Sequence, residues 1–254
     1  MRRLGFLPIL LMLACGDDEA PGPQSSTLSP TIERVAFEVD YQTGAEPYTF
    51  SLLTAGGTWQ LFRRNVEAVY DPLGASIDVP ETLDQMQDLG PSTATDYSAQ
   101  DILAIAEAHR ESADSDGLKT YYIVFLDGVF RGDNGPDPQV IGVSIGDTGV
   151  IAMFKPVYDG QLGASVLEQT TLVHEFGHAV GLVNRTVGLT SDHHDAEHGN
   201  HCTNQQCVMF WQNEGLSDLL SFVQRYIFGD DTVVFGPECL ADINAEIQAA
   251  QGNP

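Results

Sequence analysis

The sequence predicts an α/β (α+β) fold, with a twisted mixed sheet, one long helix and a smaller C-terminal lobe. Three observations predict it. Strand-like and helix-like segments alternate between residues 33 and 154. A long helical pattern then covers residues 166–183. Beyond it the sequence is irregular up to residue 215, and only helical patterns follow.

The predicted strands rest on alternating apolar residues and on β-branched or aromatic side chains. The strongest is 119–127, because an unbroken run of such residues fills positions 121–125. The other predicted strands cover residues 33–41, 75–79, 140–145 and 149–154.

Apolar residues at helical spacing predict the helices. These cover residues 58–70, 97–112, 166–183, 216–228 and 241–250, and Ser98 is the expected N-cap of the second. The helix at 166–183 is expected to be amphipathic, and residues 83–95 are rich in turns.

Composition excludes some classes of function. The 254 residues include 36 acidic and 11 basic side chains, which gives a net charge of −25. Binding to nucleic acid through a basic surface is therefore excluded, and docking to anionic lipid through such a surface is disfavoured, because both need clustered Lys and Arg. The acidic surface favours basic or neutral substrates. We expect a monomer.

The N-terminus has the features of an export signal. A basic start precedes an apolar run over residues 4–14, which is too short to span a bilayer. The following Ala14-Cys15-Gly16 resembles the lipobox of bacterial lipoproteins. That resemblance implies a signal peptide at 1–14, lipidation of Cys15, a flexible tether over 15–30, and a place in the outer membrane, the periplasm or at the cell surface. An ordinary signal peptide with a chance cysteine is the alternative.

A metal-binding motif lies within the long helical pattern. His174 and His178 are four residues apart, so both imidazoles lie on one helix face and can reach one ion. Glu175 projects to the side of that ion, where it can accept a proton from a metal-activated water. Six of the seven histidines lie between residues 174 and 201. The sequence therefore predicts a Zn²⁺ site here rather than a solvated helix with two histidines.

Residues 174–181 read HExxHxxG and resemble the metzincin zinc peptidases. In that family the glycine, here Gly181, lets the chain leave the helix sharply, and a third histidine follows three residues later. Asn184 occupies that place, and an amide is a poor zinc ligand. The third ligand must therefore come from further along the chain.

Residues 201–209 read HCxxxxCxM and resemble the archaemetzincin branch of that family. The resemblance implies that His201 is the third zinc ligand and that Met209 forms the turn below the metal. His193 is the second candidate for the third ligand. Asp195 is a ligand or an acceptor for an imidazole N–H. A tyrosine that stabilises the oxyanion in some metzincins is replaced here by Trp211.

The cysteines allow two interpretations. Archaemetzincins hold a second, structural zinc with four cysteines, but here Gly236 stands where the first cysteine of the C-terminal CxxC motif would be. An exported protein lives where disulfides persist, so we expect a Cys202–Cys207 disulfide with Cys239 free. A second zinc is the alternative.

Together these resemblances predict a zincin-like, zinc-dependent endopeptidase over residues 31–254. Its N-terminal lobe would cover about 31–183 and its C-terminal lobe about 184–254. Glu175 would take a proton from the water and pass it to the leaving amine, and an edge strand at 149–154 would align a protein or peptide substrate. The alternatives are a catalytically silent zincin-like protein and a surface lipoprotein that captures metal.

Overall fold

The computed structural model describes residues 27–51, 56–211 and 233–252. Cys15, the signal peptide and the helix predicted at 216–228 lie outside these ranges. All other predicted elements fall within them.

The strands of the described ranges are numbered here in chain order. They are β1 (Arg34–Tyr41), β2 (Phe50–Ser51), β3 (Gly56–Gly57), β4 (Ser76–Asp78), β5 (Gln87–Asp88), β6 (Asp96–Tyr97), β7 (Leu118–Leu126), β8 (Val129–Gly132), β9 (Gly135–Asp137), β10 (Gly142–Ile145), β11 (Val150–Phe154), β12 (His194–Asp195) and β13 (His201–Cys202). All five predicted strands are present, within three residues of the expected bounds at each end. The smaller strands were not predicted because two to four residues carry too little periodicity.

The helices follow the same order. They are α1 (Trp59–Tyr70), α2 (Ala99–His109), α3 (Lys155–Tyr158), α4 (Ala164–Val180) and α5 (Pro237–Ala250). Ser98 caps α2 as predicted, since its side chain accepts a hydrogen bond from the Asp101 backbone N–H. Among the helices of the described ranges, none is long and apolar enough to cross a membrane.

The main sheet is mixed, with the order β10-β11-β7-β1-β4, and β5 also pairs with β1. Its strands are parallel except β10, which runs antiparallel to β11 and forms one edge. The predicted edge strand at 149–154 was therefore wrong. β11 lies between β7 and β10, and within the described ranges it is β10 that has a strand partner on one side only.

Helices cover both faces of this sheet, which explains the unbroken apolar run of β7. Alternate residues face opposite layers, so Tyr121, Ile123 and Phe125 pack toward α1 and α4. Tyr122 and Val124 pack on the other face in the layer that contains α2.

Helix α4 is buried around its whole circumference. Every residue from Val166 to Val180 is buried, so the amphipathic helix predicted here was wrong. The helix packs against the sheet and against α1. It therefore lacks the polar, solvent-exposed face of an ordinary surface helix. Phe176 anchors it by edge-to-face contacts with Phe37, Phe62 and Tyr121.

The predicted tether is too long at its C-terminal end. Leu28 is fully buried in the core, and the Thr27 hydroxyl donates to the Val180 carbonyl at the end of α4. The Tyr70 hydroxyl in turn donates to the Thr27 carbonyl. Thr27 and Leu28 therefore belong to the folded body, because the one apolar side chain of this polar segment is buried in the core.

Candidate metal centre

The end of α4 fixes the direction in which the chain leaves the helix. Gly181 has φ +100°, and its N–H donates to the carbonyls of Gly177 and His178. A Cβ at this position would overlap the Thr186 side chain. The sharp exit predicted at Gly181 is confirmed, since only glycine combines this φ with this close approach.

Three imidazoles converge beside this helix end. His174 Nε2 and His178 Nε2 are 3.1 Å apart. The His201 ring lies 5.3 Å from that of His174 and 5.0 Å from that of His178, between ring centroids. All three side chains are buried, and one nitrogen of each lies within 4.8 Å of the others. Asn184 is exposed and takes no part.

Backbone carbonyls fix the tautomers of two of these rings. His174 Nδ1 donates to the Val208 carbonyl at 2.7 Å, and His201 Nδ1 donates to the His198 carbonyl at 2.6 Å. A carbonyl only accepts, so each Nδ1 carries the proton and each Nε2 keeps its lone pair. This arrangement prepares both rings to bind a cation through Nε2.

His178 is held in the neutral form. Burial is the largest cause that keeps its pKa well below the ordinary value, and the charges of His174, His201 and Arg185 lower it further. A neutral imidazole is the form that binds metal.

The donor spacing fits zinc. Two nitrogens on one tetrahedral Zn²⁺ lie about 3.3 Å apart when each Zn–N bond is about 2.0 Å. The 3.1 Å between His174 Nε2 and His178 Nε2 is close to that value. Three imidazoles leave a fourth coordination position for water or substrate, as in catalytic zinc sites.

Glu175 lies in a cleft beside these imidazoles. The cleft has a volume of about 390 Å³, and Glu175 is 5% exposed within it. Edge strand β10 forms one wall through Gly142 to Ser144, and the segment from His198 to His201 lines the cleft as well. A Cβ on Gly142 would lie 3.1 Å from Cγ of Glu175, so glycine lets the edge strand approach this carboxylate.

Met209 packs directly below the centre. It is fully buried, and a Cβ on Gly177 would overlap its sulfur. Gly177 lies between the two histidines of the helix, so the Met209 side chain supports the turn of α4 that carries them. The Met209 carbonyl accepts from the Cys202 N–H at 2.7 Å, which ties it to the strand that presents His201.

A second group of donors lies around Cys202, Cys207, Cys239 and His193, here called the thiol cluster. Cys207 Sγ and Cys239 Sγ are 3.6 Å apart, and His193 Nδ1 is 3.3 Å from Cys202 Sγ. The donor atoms of His193, Cys202 and Cys239 all lie within 4.8 Å of one another. Tetrahedral zinc spaces two sulfurs by about 3.8 Å and a sulfur and nitrogen by about 3.5 Å, so the cluster fits one zinc ion.

The thiol cluster corrects two predictions. The expected Cys202–Cys207 disulfide is not formed, because Cys202, Cys207 and Cys239 are buried thiols that face one another without a disulfide bond. His193, the second candidate for the third histidine of the helix site, belongs instead to this cluster. Its Nε2 is held by Asp242 of α5 at 2.7 Å.

Hydrogen bonds within the cluster favour a thiolate. Those from Cys207 and Cys239 lower the pKa of the Cys202 thiol, while the bond to Cys202 raises the pKa of the Cys207 thiol. One sulfur is thus prepared to be a ligand before any metal binds.

Strand β13 contributes one residue to the three-histidine centre and one to the thiol cluster. His201 and Cys202 are adjacent, and neighbouring side chains of a strand project to opposite sides. His201 therefore faces the helix histidines while Cys202 faces the thiols.

The other loop polar residues form a small network at the cleft mouth. Asp195 accepts from His198 Nδ1 at 2.8 Å, and the His198 ring stacks on Trp211 with centroids 3.9 Å apart. His194 Nε2 donates to the Gly199 carbonyl. Asp195 was predicted to be a metal ligand or to accept a hydrogen bond from an imidazole. It does accept such a hydrogen bond, but from His198, which is not a residue of the metal centre.

Sequence analysis missed three residues that line the cleft. Thr171 is buried one turn before Glu175, His198 lies in the irregular segment after the helix, and Arg185 follows the helix exit. Only Thr171 had a usable signal, its i, i+4 spacing from Glu175.

The layered α/β fold and the three-histidine cleft define a protein with a candidate metal centre beside a buried carboxylate. No protein-family model matches the sequence, and no curated protein sequence matches it. Among solved structures it is similar to a zinc-dependent peptidase from Methanocorpusculum labreanum, with a TM-score of 0.45 and 16% identity over 82% of this chain and 99% of that one. It is also similar to archaemetzincin from Methanopyrus kandleri, with a TM-score of 0.45 and 14% identity over 85% and 97% of the two chains.

Proposed function

We propose that this protein is a zinc-dependent endopeptidase. One observation carries the proposal: three buried imidazoles have converging nitrogens, and those of His178 and His201 line a cleft that also contains Glu175. Motif spacing alone would predict a pair of histidines. The tertiary arrangement brings His201 to that pair and Glu175 into the same cleft, which supports the proposal.

The chain's own residues divide the chemistry. His174, His178 and His201 would hold Zn²⁺, which when bound supplies Lewis-acid polarisation of the scissile carbonyl and of water. Glu175 accepts the proton from the attacking water and then donates it to the leaving amine. Its burial keeps the carboxylate away from bulk solvent, so the proton passes between the reacting groups.

Edge strand β10 would orient the substrate. Its outer side has no strand partner among the described residues, and it borders the cleft beside Glu175. An extended peptide can pair with such an edge through backbone hydrogen bonds, which suits an enzyme that cleaves within chains.

The test is the Glu175→Gln variant of the zinc-loaded protein. We expect peptide hydrolysis to fall by about a hundredfold to ten-thousandfold, because a positioned general base contributes about that much. Zinc content is expected to stay unchanged, since Glu175 is not one of the three converging donors. Glu107→Gln, at an exposed position on α2, is the matched control. Equal hydrolysis by the wild type and the Glu175 variant, or by neither, would contradict the proposal.

The thiol cluster would hold a second, structural zinc. Three sulfurs and His193 give four protein ligands, which leaves no open position for chemistry. The ion would join the β12–β13 region to α5, and Asp242 would fix the imidazole orientation. It thereby stiffens the segment that presents both His201 and Met209.

The proposal includes export and attachment to a membrane through lipid on Cys15. Its support is the apolar run and the small residues around Cys15 in the sequence. Wild-type protein is expected to incorporate labelled fatty acid and to enter the membrane fraction of bacterial cells. Cys15→Ala is expected to lose the label; retention of the label would contradict the proposal.

A further inference from the structure

Arg185 is the one arginine or lysine among the described residues that line the cleft. The chain has only 11 basic side chains against 36 acidic ones, so a cation in this place is unusual. The other ionisable groups of the cleft are Glu175 and the imidazoles of His178, His198 and His201. Arg185 therefore provides the permanent positive charge of the cleft.

The Arg185 guanidinium is only loosely engaged. Its Nε lies 3.5 Å from an Asp147 carboxylate oxygen, and the two side chains are 22% and 57% exposed. A pair this long and this exposed contributes little binding energy. The guanidinium can therefore exchange Asp147 for another carboxylate without much loss.

The backbone that carries Arg185 is strained. Val183 and Asn184 precede it with φ of +55° and +61°, and a β-branched residue rarely adopts that conformation. Hydrogen bonds hold the turn, from the Thr186 N–H to the Gly181 carbonyl and from the Asn200 side chain to the Val183 carbonyl. The structure thus keeps Val183 and Asn184 in a strained backbone conformation, and this turn positions Arg185 in the cleft.

From this placement we infer that Arg185 is a specificity-determining residue that binds a carboxylate of the peptide substrate. The inference rests on the proposed peptidase function. The net negative charge of the protein favours basic or neutral substrates, but salt screens that long-range attraction. Arg185 lies in the cleft itself and acts on a bound substrate at short range. The carboxylate is an acidic side chain or the free C-terminus of the substrate, since the guanidinium binds both by the same paired hydrogen bonds.

The test uses pairs of peptides that differ by Glu or Gln at one position near the scissile bond, or by a free or an amidated C-terminus. For the wild type we expect kcat/KM to be about tenfold higher for the charged member of one pair, as a partly exposed charge-assisted contact would give. Whichever pair shows the preference identifies the source of the carboxylate. Arg185→Gln is expected to bring the ratio close to one.

Two variants serve as controls. Arg185→Lys keeps the charge but loses the paired geometry, so it should retain part of the preference. Arg64→Gln removes one positive charge at an exposed position on α1 and should leave the preference intact. A preference that survives in Arg185→Gln, or is absent from the wild type, would overturn the inference.

Two further measurements make the inference independent of folding and of activity. If Arg185→Gln does not fold, the wild-type preference is measured against salt, and it should fall several-fold at high ionic strength; an unchanged preference would overturn the inference. If no peptide is cut, the peptidase proposal fails, and binding of the same peptides to the zinc-loaded protein decides the role of Arg185. Stronger binding of the charged peptide that Arg185→Gln abolishes supports the inference, and equal binding of both peptides overturns it.

Discussion

His201→Ala is expected to remove the zinc ion of the cleft and to abolish peptide hydrolysis. With only His174 and His178 left, the site has two protein ligands, one fewer than catalytic zinc sites use. Zinc content should fall from about two ions per chain to about one. Metal analysis of the purified protein measures the loss, and hydrolysis of a casein-type substrate measures its consequence.

His193→Ala is the matched variant, since it removes a buried imidazole a few residues away. It should weaken zinc binding by the thiol cluster, which keeps three sulfurs, while the cleft keeps its metal. Cobalt substitution separates the two sites, because only thiolate ligands give sulfur-to-cobalt charge-transfer absorption. This absorption should weaken in His193→Ala and persist in His201→Ala. The opposite pattern would show that His193, not His201, completes the helix site.

Lys155→Met is expected to destabilise the fold by about 3–5 kcal/mol, because it leaves a buried carboxylate without its counter-charge. Lys155 Nζ lies 2.9 Å from Glu168 on α4, and their side chains are 6% and 0% exposed. The Tyr158 hydroxyl and the Tyr48 N–H also donate to Glu168. Urea unfolding of both proteins at neutral pH measures the change in the free energy of unfolding.

The loss of stability in Lys155→Met should depend on pH. Burial raises the pKa of Glu168, and the Lys155 charge opposes that rise. Without Lys155 the pKa rises further, so the folded variant binds this proton more tightly than its unfolded state does. Stability is then highest below the unfolded value near 4.5 and is lost as pH rises toward the raised pKa. The variant should therefore be closer to the wild type at about pH 5 than at about pH 8.

Lys119→Met is the control for this measurement. Lys119, the other lysine of the chain, pairs with Asp114 at 2.7 Å, but the Asp114 side chain is 33% exposed. Asp114 also keeps hydrogen bonds from the Thr120 N–H and hydroxyl. A loss of about 1 kcal/mol or less is expected. Equal losses in the two variants would show that burial of the Glu168 pair has no special role.

Local pattern was sufficient for the main strands and helices. Residues 121–125 predicted a buried strand because a sheet covered on both faces needs apolar side chains on both faces. The i, i+4 spacing of His174 and His178 predicted that they share a helix face, since helix geometry is fixed by the backbone. The HCxxxxCxM resemblance singled out His201, which the structure brings to these two histidines.

The local sequence pattern could not predict features that depend on packing partners distant in the sequence. The burial of α4 on all sides depends on α1 and the sheet, so its own periodicity was misleading. The edge position of β10 follows from strand order, which no strand carries in its own residues.

The sequence by itself determined the chemistry: which imidazoles, thiols and carboxylates exist, and which two histidines share one turn of helix. Only the tertiary structure decided how these groups divide into two sites. His193 lies near His201 in the chain, yet Asp242 of α5 and the Cys202 sulfur hold it in the thiol cluster. The physical reason is that a loop's own sequence sets only local turns, whereas the position of its side chains depends on contacts with distant elements, here α4 on one side and α5 on the other.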